Sequence, residues 1–265
     1  MSAEVLWEQF AHEHATIAVL AKRHHRSEKW IRLRLDEYEP TSPVPQPRAF
    51  VAIGDATWIH GSWMLVLRDP DRRENVYHRE VASEATSDYQ RARAELEEQG
   101  FTFLAIVGDG RLALPWAFSG IPFQMCHFHM EQIIIRYTTR YPKLPAAIEL
   151  LEIVRTLSRT DAQSFTDTFA LWCRTWDEFL QERSVNPETG RRAYTHRRLR
   201  SARDSIRRHL PHLFTFEKYP ELTIPNTTNS LDGSFKKLKM AIGIHSGLTH
   251  ARKLKLITAL LYPPA

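Results

Sequence analysis

The chain has 265 residues, 43% of them hydrophobic and 25% charged, which is enough apolar material for a full core and excludes a disordered regulator. Lysine and arginine exceed aspartate and glutamate by 36 to 31, a formal charge of +5 that favours polyanionic partners without specifying one. Two cysteines, Cys126 and Cys173, are too few for a disulfide framework; with no apolar run of about 18 residues and no signal-peptide pattern at the N-terminus, the expectation is a soluble intracellular protein.

Residues 1–39 contain three short helical patterns, VLWEQFAHEH, TIAVLAKRH and SEKWIRLRLDEY. Thr16 and Ser27 stand where N-cap residues would, since their hydroxyls can accept from the free amides of a first helical turn. The last two helices, separated by His24, His25 and Arg26, fit a helix-turn-helix whose second member carries Lys29, Arg32 and Arg34 as DNA-contacting residues. The plainer alternative is a helical hairpin that only packs on the main domain. Residues 40–48, PTSPVPQPR, hold four prolines in nine positions, which suppress helix and sheet and mark a linker.

Residues 49–140 read as strand-rich. AFVAIGDATWI, SWMLVLRDP and NVYHREV are apolar or alternating runs separated by turn residues, and predict three consecutive antiparallel strands. TSDYQRARAELEEQ predicts a helix over 86–99 stopped by Gly100; FTFLAIVGD follows as a buried strand and IPFQMCHF as a fifth. From 141 to 222 leucine, isoleucine, phenylalanine and tryptophan recur at helical spacing, which predicts an all-helical insertion. Residues 223–265 add a helix from near Asn229 to about Ala241 and another over roughly 249–261. The expected fold class is therefore α/β: a ribonuclease-H-like mixed sheet flanked by helices, interrupted by the insertion and preceded by the helix-turn-helix.

Three acids carry the chemistry in this reading. Asp55 lies inside the first apolar strand, where an ionised carboxylate is costly without a cation or hydrogen bonds to compensate it. Asp109 ends the later apolar strand, at the carboxyl edge where open sheets place their sites. Each follows a glycine, which permits close approach to the backbone. Asp232, in IPNTTNSLDGSFKKLK, lies on a helix whose positions 231, 235 and 238 form an apolar stripe while 232, 236 and 239 form a polar one. It also reads as part of an ordinary capping sequence after Asn229. Carboxylates suit hard divalent ions, magnesium with manganese as an alternative, and a pair of such ions can drive in-line displacement at phosphorus.

Two further signals flank these acids. In QMCHFHMEQ, Cys126 and His129 have the spacing of half a zinc site but lack a matching second half, so they are expected to brace the acidic site or simply to pack. Between 183 and 208 nine arginines stand against Glu188 and Asp204, and Arg200, Arg203 and Arg207 recur at helical spacing as a face for a nucleic-acid backbone or a merely solvated surface. Lys236, Lys237, Lys239, Arg252, Lys253 and Lys255 extend the positive charge beside Asp232, with Lys236 and Lys239 expected to contact DNA.

Together, the Asp55 strand, the GDG around Asp109, the Cys126 to His129 pair, PNTTNSLDGSFKKLK and the later HSGLTHARK resemble the Mutator-like transposases and their relatives among bacterial insertion sequences, over about residues 50–260. The resemblance implies a metal-dependent DNA transposase with Asp55, Asp109 and Asp232 as its catalytic and metal-binding acids. It further implies binding of terminal inverted repeats and target DNA, assembly as a homodimer or larger on paired ends, and association with the bacterial nucleoid. The family usually has glutamate at the third position; Asp232 keeps the charge and shortens the reach by one methylene. That change keeps a second reading open, a weakened or domesticated DNA-binding descendant.

Overall fold

The computed structural model describes residues 1–41, 43–185, 187–245 and 247–262, so Ser42 of the proline-rich stretch and Ser246 of HSGLTHARK lie outside the described residues. The chain divides into two compact units: Met1–Arg48, Ile53–Thr102 and Asn229–Ala265 form the first, and Ala49–Ala52 with Phe103–Thr228 form the second.

The first unit opens with helices α1 (Ala3–Ala11), α2 (Ile17–Arg23) and α3 (Glu28–Glu37). Each starts on a hydroxyl cap: Ser2, Thr16 and Ser27 accept from the amides of Val5, Val19 and Trp30 at 3.2, 3.3 and 3.2 Å. Leu6, Phe10, Leu20, Ile31 and Leu35 are fully buried, so the three helices share a core. The described residues of the proline-rich connection that follows have no regular structure; the connection ends at Arg48, whose guanidinium bonds Asp69 at 2.8 Å and Glu74 at 2.5 Å.

Strands β1 (Ala49–Ile59), β2 (Ser62–Asp69) and β3 (Glu74–Val81) run antiparallel in sequence, with Asp55 opposite Val66 and a register shift at Leu67/Arg68. Helix α4 (Thr86–Glu98) follows, tied to β3 through Arg79 and Glu95. Strand β4 (Thr102–Gly108), helix α5 (Ala113–Ala117) and the short β5 (Phe123–Met125) come next, with β4 and β5 parallel. The five strands make one mixed sheet in the order β3-β2-β1-β4-β5, an arrangement compatible with a ribonuclease-H-like fold.

The fifth strand is shorter than the apolar run IPFQMCHF suggests. Cys126 already caps helix α6 (His127–Thr138), and the edge of β5 is met by side chains rather than by another strand. Thr215 Oγ1 donates to Phe123 O at 2.6 Å, and fully buried Gln124 donates to Leu213 O at 2.8 Å while accepting from the Phe216 amide at 3.2 Å.

Beyond α6 the second unit contains α7 (Pro145–Arg155), α8 (Ala162–Thr175), α9 (Asp177–Gln181), α10 (Arg197–Leu213) and α11 (Thr215–Lys218). The expectation of an all-helical segment needs correction, because β6 (Arg183–Val185) and β7 (Arg192–Tyr194) pair antiparallel within it. Three largely exposed residues per strand leave no alternating apolar pattern to read, and the ribbon is held instead by Arg183 and Arg200, whose guanidiniums lie 4.2 and 3.6 Å from the Tyr194 ring centre.

Helices α12 (Asn229–Ile244) and α13 (His250–Leu261) return to the first unit. Here α13 anchors α3: the buried Arg252 guanidinium binds the Asp36 carboxylate through Nε and Nη2 at 3.0 and 2.8 Å. Lys255 Nζ donates to the carbonyls of Leu35, Asp36 and Tyr38 at 3.4, 2.9 and 2.6 Å, a cation on the unsatisfied oxygens at the carboxyl end of α3. Lys253 bonds His60 O and Ser62 Oγ at 3.0 and 2.9 Å. Arg252, Lys253 and Lys255 are therefore engaged in holding the first unit together, a correction to their expected place on an open phosphate-facing surface. Among the described residues no helix is long and apolar enough to cross a membrane.

Burial holds His78, His127, His209, His212 and His245 below the ordinary histidine range. The unfolded chain therefore takes up protons first as pH falls, and stability is full above the ordinary histidine pKa of about 6.5 and declines below it. Thermal melts are expected to shift to lower temperature between about pH 7 and pH 5. His245, packed 4.2 Å from the Phe10 ring with neither nitrogen hydrogen-bonded, supplies the check: His245→Phe should make that decline shallower. An unchanged pH profile in the variant would remove His245 from the account.

Candidate active site

Asp109 follows the buried strand β4 directly. Its Oδ1 accepts from the Arg111 amide at 2.9 Å and its Oδ2 lies 3.2 Å from Arg111 Nε, so backbone and guanidinium together fix the carboxylate. The turn that permits this depends on Gly110, which has φ +84°; a Cβ there would stand 2.2 Å from Met125 Sδ and 3.0 Å from His209 Cε1. The glycine after Asp109 is therefore under steric constraint, in addition to the glycines that precede the two acids in sequence.

A cavity of about 440 Å³ opens at Asp109, lined by Arg111, Arg136, Arg198, Arg208, His129 and His209. Arg136, Arg198 and Arg208 are exposed and make no ion pair among the described residues. Arg198 is steadied by donating to the Arg136 carbonyl. One carboxylate and several unneutralised guanidiniums in a single cavity suit a ligand that carries both a metal-binding oxygen and further anionic oxygens, as a phosphodiester does.

Asp55 and Glu84, in the first unit, are half-buried, as Asp109 is in the second. Asp55 sits mid-strand in β1 and bonds the Ala56 amide at 2.8 Å. Glu84 precedes α4 and accepts from the buried Tyr89 hydroxyl at 2.9 Å. Carboxylates without histidine or cysteine are donors for a hard divalent ion, the class expected from sequence. Asp232 lies half-buried in the first turn of α12. Glu84 escaped the sequence reading because it lies in a short polar connection, ASEATSDY, with no apolar run or glycine to single it out.

Cys126 and His129 act on the chain just before α12. Cys126 is fully buried, and its sulfur accepts from Thr228 N at 3.3 Å and Thr228 Oγ1 at 3.4 Å; the same hydroxyl lies 3.3 Å from His129 Nδ1. Burial pushes the thiol up, but hydrogen bonds from His129 and Thr228 outweigh it and leave the group below the ordinary cysteine range. Beside this group, His127 N donates to Asn226 O at 2.8 Å. The Cys126 to His129 pair thus clamps the first half of PNTTNSLD, and its spacing is explained by a shared threonine.

The expected DNA-contacting residues are placed unevenly. Lys29 is exposed on α3, while Arg32 and Arg34 pair with Glu28 and Glu37 on their own helix at 2.6 and 2.7 Å; such exposed pairs are weak and release readily. On α10 the stripe of Arg200, Arg203 and Arg207 largely faces protein: Arg203 is buried, and Arg200 stacks on Tyr194 and donates to Leu180 O, which leaves Arg207 as the exposed member. The guanidiniums at the Asp109 cavity come from Arg198 and Arg208 instead. Their neighbours in the stripe bury long apolar stems, a behaviour that charge patterning does not reveal. Lys236 and Lys239 are exposed on α12.

Comparison with models of known protein families finds no match for this chain, and comparison with curated proteins finds none either.

Gly110→Ala is expected to cost about 1–3 kcal/mol in urea unfolding, because a side chain in a left-handed conformation is strained, and to displace Met125 and Asp109 with it. A stability equal to that of the native chain would show that the turn imposes no constraint.

Proposed function

We propose that the protein is a metal-dependent enzyme of phosphodiester chemistry on nucleic acid, with Asp109 as a central metal-binding carboxylate. Within that class, the reading is a DNA transposase that cleaves and joins strands at element ends. The observation that carries it is the cavity at Asp109, where a carboxylate fixed by its own turn faces Arg136, Arg198 and Arg208, guanidiniums with no acidic partner among the described residues. A cavity for an uncharged substrate would gain nothing from such an excess of positive charge, and desolvating it would be unfavourable.

Asp55, Glu84 and Asp232, the last in the first turn of α12, are the further carboxylates proposed as metal ligands beside Asp109. A hard divalent ion, when bound, supplies Lewis-acid activation of the attacking oxygen and neutralises charge at the leaving one. The chain's own part is to hold and orient. Arg136, Arg198 and Arg208 would grip non-bridging phosphate oxygens, and Arg111 would keep the Asp109 carboxylate directed. No protein nucleophile is required, since water serves for cleavage and a 3′-hydroxyl for joining. His209 is buried and held neutral chiefly by burial and by Arg208, so it adds no competing positive charge beside the carboxylate. The capped helices α2 and α3 are read as a helix-turn-helix for the element ends, with Lys29 an exposed cation on the second of them.

The test is cleavage of DNA bearing the flanking inverted repeats, with magnesium or manganese supplied. Asp109→Asn and Asp55→Asn are expected to lower the rate by about 10²–10³-fold or more, the scale of losing a group that stabilises charge in the transition state, with DNA affinity retained. Chelation by EDTA should abolish cleavage. Glu84→Gln and Asp232→Asn, compared side by side, identify the third metal-binding acid as the one whose loss matches that of Asp109. Undiminished cleavage by Asp109→Asn would overturn the proposal, and absence of cleavage by the native chain with DNA binding intact would leave a DNA-binding protein.

A further inference from the structure

A second concave feature lies wholly within the first unit, a groove of about 960 Å³ between the β2–β3 turn, the end of α1 and one face of α12. Its basic members are Arg68, Arg72, Arg73 and Lys237. Arg72, Arg73 and Lys237 form no ion pair among the described residues. The acid in the lining, Glu74, is already taken by Arg48 at 2.5 Å, and nearby Asp69 is taken by Arg48 and by the amides of Asp71 and Arg72 at 3.0 and 3.1 Å. Those two amide bonds make the turn a preformed support, so the two arginines at its tip are presented by an ordered backbone rather than a loose loop.

Arg68 supplies an independent sign that the groove lacks an anion. It sits at the β2–β3 register shift, where a bulge re-aims a side chain, and its Nη1 donates to Asn75 Oδ1 at 2.8 Å while Asn75 donates to Leu261 O at 2.7 Å. Its Nε, however, is buried with no hydrogen-bond partner. A buried, unsatisfied donor atom on a half-buried cation is costly and calls for an acceptor. Burial and the neighbouring Arg73 both act against its positive charge, and an anion in the groove would relieve both.

The α12 face that lines the groove is made of small residues, Ser230, Gly233 and Ser234, before it reaches Lys237. A Cβ on Gly233 would meet nothing within 4 Å, so the glycine is not required by packing. Glycine inside a helix costs roughly 0.5–1 kcal/mol relative to alanine, and its effect here is to leave the face low and open. The exposed apolar residues Met240 and Ile244 continue the same lining, giving sugars or bases a surface to lie on beside the cations. The face begins within the turn of α12 that carries Asp232.

We infer that this groove binds a DNA strand through its phosphodiester backbone, with Arg68, Arg72, Arg73 and Lys237 as the phosphate contacts and the Ser230–Gly233–Ser234 face as the floor along which the strand runs. The inference rests on the proposed function and adds a location for a strand distinct from the Asp109 cavity. Its occupant follows from charge complementarity and from a lining that is neither purely apolar nor closed.

The experiment uses the full chain with Asp109→Asn, which separates binding from cutting, and measures fluorescence anisotropy of labelled single-stranded and duplex oligonucleotides across a salt series. The triple variant Arg72→Ala, Arg73→Ala, Lys237→Ala is expected to weaken binding at least tenfold and to flatten the log–log salt slope by about two, three phosphate contacts at roughly 0.7 each on a single strand. Gly233→Leu changes no charge and should weaken binding by filling the groove, with a melting temperature equal to or above that of the parent. Loss on either oligonucleotide supports the groove and tells which form of DNA it holds. Parental affinity and slope in both variants, with folding confirmed by circular dichroism, would overturn it. A failure of the cleavage test leaves this binding result standing, and a failure here leaves the Asp109 site untouched.

Discussion

A carboxylate at the end of a strand whose last four residues are buried has to be stopped from swinging into solvent, and in this protein the stop is a single left-handed glycine. Gly110 turns the chain against Met125 and His209 so tightly that no side chain fits, and the following amide and guanidinium of Arg111 then clamp Asp109. The orientation of the carboxylate towards the arginine-lined cavity follows from that turn. Met125 and His209 belong to β5 and α10, so the helices beyond residue 141 are not an independent appendage: one of them supplies part of the wall against which the turn is made.

Charge is organised by the same economy of position. Of the many cations, some are structural: Arg252 and Lys255 seat the carboxyl end of α3, Arg48 closes the connection before β1, and Arg203 is buried on α10. Others are left without acids, at the Asp109 cavity and at the groove on α12. A net charge of +5 is too small to distinguish these roles, because each paired arginine cancels an acid in the total while each free one concentrates in a concavity. The free ones are the ones that can meet phosphate.

The clamp on the approach to α12 links the two signature segments. Thr228 gives its amide and hydroxyl to Cys126 and shares the hydroxyl with His129, so the start of the helix bearing Asp232 is tied to the start of α6. A thiol and an imidazole at this spacing look like a fragment of a zinc site in sequence. Their geometry here is that of a polar latch, buried and satisfied by a third residue about a hundred positions away along the chain.

Much of the architecture was legible in the residues alone. The hydroxyl caps at Thr16 and Ser27, the three antiparallel strands, the helix ending before Gly100, the buried strand before Asp109 and the two closing helices are all set by local periodicity and backbone chemistry, which act over a few residues and leave their mark there. What tertiary structure decided was everything that depends on distant partners. β5 ends early because Cys126 caps a helix, the Arg200 stripe turns inward onto Tyr194, and a pair of three-residue strands closes on itself. Each of these turns on which side chains meet in space, and a carboxylate or guanidinium carries the same charge in the sequence whether it faces a neighbour, a cavity or water.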